Sequence, residues 1–145
     1  MDQSTGNMER PELLKILCIL TFIGSGFSFL SYLLLAFYNE LFLEIASSDQ
    51  FGFFRSDEEK GMIIEIFSLP KIYFLLHSLF YALSLFGAYK MWTLKKAGFH
   101  FYAISQISLI IVYKAYIPSA PFPFFALAVT VIFILLYFRN LKYMS

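Results

Sequence analysis

The chain has 145 residues, enough for one domain; 59% of them are hydrophobic and 21% aromatic, with 19 Phe and 10 Tyr. A mean hydropathy of +0.70 is too apolar for a soluble domain of that size, and a formal net charge of +1 without a long basic run sets nucleic acid aside as a partner. Cys18 is the single cysteine, so neither an intrachain disulfide nor a thiolate metal cluster can form within one copy.

In chain order, residues 1–12 are polar and Pro11 stands where a first-turn proline is tolerated, so a helix is predicted to begin there. Four apolar runs follow: Ile16–Tyr38, Ile72–Tyr89, Phe99–Tyr113 and Phe122–Phe138. Their ionisable side chains are confined to Cys18, His77, His100 and tyrosines. In hydrocarbon a segment must satisfy its own backbone, and about 20 helical residues at ~1.5 Å each match a core roughly 30 Å thick. The expected fold is therefore all-α, an integral-membrane four-helix bundle with spans at about 14–38, 71–91, 98–116 and 122–140. The first run is longer than the apolar part of a signal peptide and no A-x-A site follows it, so the first span is expected to stay attached.

The register of the first helix can continue past Tyr38 through Leu41, Phe42, Leu43 and Ile45, with Glu40 and Glu44 marking the way out of the hydrocarbon. In the extracytoplasmic loop expected at about 40–70, Ser56-Asp57-Glu58-Glu59 reads as a capping box that opens a short helix through Phe67. Its Met62, Ile63, Ile66 and Phe67 share one side, which suits a helix resting on the membrane or on the bundle. The short connections Lys90–Gly98 and Tyr116–Phe122 enforce antiparallel neighbours, and Pro118, Pro121 and Pro123 break the chain between the last two spans.

Basic residues set the orientation. Arg10, Lys15, Lys90, Lys95, Lys96, Arg139 and Lys142 fall on one side with only Asp2, Glu9 and Glu12, while four basic and seven acidic side chains fall on the other. The basic-rich side is expected to be cytoplasmic, with both termini there.

Candidate sites each have a plain structural alternative. Thr21, Gly24, Ser25, Ser28 and Ser31 recur at three- and four-residue spacings on the first span, which suits close helix packing or a small-molecule groove. His77, with Tyr81 and Ser84 on the same face, is the most polar group within the second span; either it hydrogen-bonds a neighbouring helix or it binds a ligand. His77 and His100 stand about 24 Å and 5 Å above the hairpin, too far apart to share a haem iron. Gln106, near the middle of the third span beside Tyr102, Ser105 and Ser108, is a second candidate for interhelical bonding. Asp57, Glu58, Glu59 and Glu65 read as a solvated helix face, and Trp92 with Tyr89, Lys90, Lys95 and Lys96 as a collar beside anionic lipid. No catalytic, cofactor or metal motif is present, and no carboxylate sits within a span, which weakens ion-coupled transport.

Two stretches, residues 10–26 (RPELLKILCILTFIGSG) and 92–99 (WTLKKAGF) followed by Tyr102, resemble small multi-pass inner-membrane proteins of Bacteroidota-type bacteria. The resemblance implies a bacterial cytoplasmic membrane and four spans, and it brings no activity, cofactor or site residue. The expectation is a non-enzymatic accessory or scaffold subunit whose partners are membrane lipids and other membrane-protein subunits. The alternative is a small transporter or lipid-binding protein that uses His77 and Gln106 in a shared cavity.

Overall fold

The computed structural model describes residues 10–48, 52 and 54–145; Asp2 and Glu9, used above in the charge comparison, lie outside them. The described chain forms five α-helices, α1 (Glu12–Ser48), α2 (Asp57–Phe67), α3 (Lys71–Trp92), α4 (Ala97–Tyr116) and α5 (Phe124–Asn140), closed by one 3-10 turn at Leu141–Tyr143. Three of these segments are long and apolar enough to cross a membrane: Glu12–Ser48, Lys71–Trp92 and Phe124–Tyr143. At 20 residues α4 is as long as the third of them, but it carries His100, Gln106, Lys114 and three tyrosines.

α1 runs for 37 residues with one non-helical residue, Tyr38, at φ −121° and ψ 18°. The kink falls where the apolar run ends, and beyond it the helix continues as an arm to Ser48. That arm packs on α2 through Phe42 and Phe67, whose ring centroids are 5.9 Å apart. The start of α2 follows the capping pattern with one difference: Ser56 Oγ accepts from the Glu59 N–H at 3.2 Å, while the Glu59 carboxylate accepts from Arg55 N–H at 2.9 Å, one residue earlier than a reciprocal box requires.

α3 is the centre of the bundle, with α1 and α4 packed along it. α3 and α4 meet through glycine. A Cβ on Gly87 would stand 2.7 Å from Gly98 O and from Tyr102 N, and one on Gly98 would collide with the Gly87 carbonyl. Only glycine allows that backbone contact. The connecting turn is a Schellman motif: Lys95 N–H donates to Lys90 O and Leu94 N–H to Met91 O, both at 2.9 Å. Leu94 occupies its left-handed position at φ 60°, where glycine is usual. The last residues return to this turn, with Ser145 N–H donating to Leu94 O and Lys96 N–H to Ser145 O.

α5 is held toward its C-terminal end by a buried tyrosine. Near the α3–α4 turn, Tyr137 is fully buried, bonded to Thr21 at 2.8 Å and packed edge-on against Tyr102 at 4.8 Å. Toward the proline turn Phe124 and Phe125 are exposed, the latter at 84%. Lys114 Nζ donates to the carbonyls of Pro118 and Ala120 and so closes that turn.

Polarity is distributed inside out. Thr21, Ser25, His77, Ser78, Ser84, Ser105 and Thr130 are buried, whereas Ile23, Phe27, Leu34, Phe37, Ile132 and Leu135 face outward. Water would reverse that arrangement; hydrocarbon favours it, because polar groups then find partners only within the bundle.

Candidate intramembrane site

The polar groups singled out from sequence converge. On α1, Ser25 Oγ lies 3.0 Å from Ser84 Oγ of α3, and Gln106 Nε2 of α4 donates to the same Ser84 oxygen at 3.1 Å. One serine thus ties three helices together, and its single proton and two lone pairs can serve both neighbours. Thr21 makes its bond one turn away, to Tyr137 of α5.

Other members of the small-residue face are placed differently. Gly24 is exposed, with nothing within 4 Å of where a Cβ would stand. Ser28 is half-buried and lines a cavity wall with Tyr81. Ser31 is half-buried.

His77 is 3% exposed, and its hydrogen bond stays on its own helix: Nδ1 lies 3.1 Å from the Tyr73 carbonyl oxygen. A carbonyl only accepts, so Nδ1 carries the proton and Nε2 keeps its lone pair. Across to α1 the ring stacks on Tyr32, at 4.7 Å between centroids and 22° between planes. Tyr32 also stacks on Tyr81 at 5.6 Å and 23°. His77 therefore joins α3 to α1 by ring stacking rather than by a side-chain hydrogen bond. His100 is exposed at the far end of α4, beside Phe99.

Two cavities lie between the other helices and the stretch 123–133 that leads into and opens α5. The larger, about 330 Å³, is walled by Tyr32 of α1, His77 and Tyr81 of α3, Gln106, Leu109, Ile110 and Tyr113 of α4, and Pro123, Ala126 and Thr130 beside or on α5. The smaller, about 200 Å³, lies between α1 and α5, and its lining includes Thr21, Gly24, Ser25 and Ser28. Tyr81, Gln106 and Thr130 belong to both. No Asp, Glu, Lys or Arg lines either one. Ala126 and Gly24 are exposed, so each cavity reaches the outer, apolar surface. Thr130, Tyr113 and Tyr32 were not among the residues singled out from sequence; the signal that could have found them is the polar side chain each carries within or at the end of an apolar run.

Among the described residues no group of three or more His, Cys, Asp or Glu comes together. At the other end of the bundle, Arg10 lies 4.3 Å over the Trp92 ring, so the aromatic and basic collar includes the start of α1. The chain matches no protein-family model, no curated protein and no solved structure.

Proposed function

We propose that this chain is a four-span protein of a bacterial cytoplasmic membrane, non-enzymatic, that binds a small uncharged amphiphile between α5 and the rest of the bundle. The fourth span is α4. Its length of 20 residues corresponds to about 30 Å, and apart from His100, exposed near its start, it keeps polar groups inward or satisfied: Tyr102 and Ser105 are buried, Gln106 bonds Ser84 and Lys114 caps a turn. The basic collar around the α3–α4 turn faces the cytoplasm, with α2 on the opposite side.

The cavity of about 330 Å³ carries this reading. Interhelical glue needs only paired groups, as in Ser25, Ser84 and Gln106. Here four helices also bring phenols, a hydroxyl and an imidazole to one space at the lower end of the size range of small-molecule sites. Native mass spectrometry of protein purified in mild detergent tests it. A lipid-sized adduct, one per chain, is expected on the unaltered protein and is expected to be lost in Ala126→Phe, which fills the cavity; bare chain in both would refute the reading.

A second reading, an accessory subunit of a larger membrane complex, draws support from the open space at Gly24, which leaves that part of α1 accessible to a helix of another protein. Stoichiometric co-purification of a second membrane protein, lost in Gly24→Leu, would favour it.

A further inference from the structure

Resting on the reading of the cavity as a binding site, we infer that its ligand is a lipid-soluble quinone, a flat neutral ring with carbonyl oxygens on opposite edges. Charge is the first reason. The lining has no formally charged side chain, and the His77 proton is committed to the Tyr73 carbonyl. A phosphate or ammonium headgroup would enter hydrocarbon depth with no counter-ion, which disfavours it strongly.

The placement of donors is the second reason. Tyr32 of α1, Tyr81 of α3, Tyr113 of α4 and Thr130 of α5 all line the cavity and all carry hydroxyls. Donor-bearing side chains drawn from four helices suit a ligand that accepts at both ends. A glyceride, whose polar oxygens are gathered at one end, would leave part of that set unused. The Nε2 lone pair of His77 and the Gln106 carbonyl oxygen are acceptors and match the hydroxyls of the reduced ring, so both forms of the ligand find partners.

Shape is the third. His77, Tyr32 and Tyr81 form a ladder of nearly parallel rings against which a planar head can stack. A volume of about 330 Å³ stands at the lower end of the range of small-molecule sites, which suits a one- or two-ring head better than a sugar headgroup with its chains. The tail leaves beside the exposed Ala126, toward the lipid.

The test titrates the full chain in nanodiscs of uncharged lipid with a decyl-tailed benzoquinone and, in parallel, with monodecanoylglycerol, following the melting temperature and the bound fraction by equilibrium dialysis. Expected are saturable binding of one quinone per chain, at least tenfold tighter than the glyceride, and a tenfold or greater loss in the double variant Tyr113→Phe with Thr130→Val, whose helix content and melting temperature without ligand are measured alongside. Equal or tighter glyceride binding that Ala126→Phe abolishes would overturn the quinone and leave the binding site. Saturable binding of neither compound would overturn both. Quinone uptake unchanged by Ala126→Phe would place the compound in bulk lipid and also overturn the inference.

Discussion

Gly87 of α3 and Gly98 of α4 touch through their backbones, with the Gly98 carbonyl oxygen 2.7 Å from the place a Gly87 Cβ would occupy. Gly87→Ala must push the two helices apart, at a cost of about 1–3 kcal/mol of overpacking. Gly24 has nothing within 4 Å, so Gly24→Ala should be neutral or gain up to about 1 kcal/mol from helix propensity. Thermal unfolding in one detergent checks the pair; opposite signs are expected, and equal effects would remove the α3–α4 contact as the closest in the bundle.

The positions of the helices were legible from apolar runs and prolines: the helical stretches expected over 71–91 and 98–116 are found as the helices α3 at Lys71–Trp92 and α4 at Ala97–Tyr116, of which α3 is long and apolar enough to cross a membrane. The kink at Tyr38 coincides with the end of the first apolar run. Thr21, Ser25, His77, Tyr81 and Gln106 were visible as polar groups where lipid permits few. A cavity shared by His77 and Gln106 was an expectation and both line one, whereas the pairing of Thr21 with Tyr137, 116 residues away, was not visible, because helix rotation is set by packing. The Gly87–Gly98 contact was likewise hidden; its one trace in sequence is a glycine on each side of a short turn.

Ser84 serves both Ser25 and Gln106. Ser84→Ala should therefore cost more than Ser25→Ala, at about 0.6 kcal/mol for each interhelical bond lost, plus the cost of leaving the Gln106 amide unpartnered. A double-mutant cycle between Ser25→Ala and Gln106→Leu, measured by unfolding in mixed micelles, should show coupling that disappears when Ser84 is already alanine.

Leu94 holds the left-handed position of the α3 C-terminal cap while its side chain packs on the core around Leu14 and Met91. Leu94→Ala loses the packing and keeps the strain; Leu94→Gly loses both. The glycine variant should be the more stable of the two by about 1–2 kcal/mol. Chemical denaturation of both variants gives this difference directly, and an alanine variant equal to or better than glycine would contradict the cap geometry.

Topology is checked on a Cys18→Ser background with single cysteines at the exposed positions Ser48 and Thr93. A membrane-impermeant maleimide added to intact spheroplasts should label Ser48→Cys and spare Thr93→Cys, following the basic collar. Labelling of Thr93→Cys alone would invert the orientation.

The central claim is that a lipid-soluble molecule occupies the space between α5 and the bundle. The most direct measurement is photolabelling of the protein in membranes with a small uncharged diazirine amphiphile, with adducts mapped by peptide mass spectrometry. The account predicts adducts on Tyr32, Tyr81 and Tyr113 at the cavity wall that vanish in Ala126→Phe, while adducts on the lipid-facing Phe125 and Ile132 persist. Labelling confined to Phe125, Ile132 and other outward side chains, unchanged by Ala126→Phe, would contradict it.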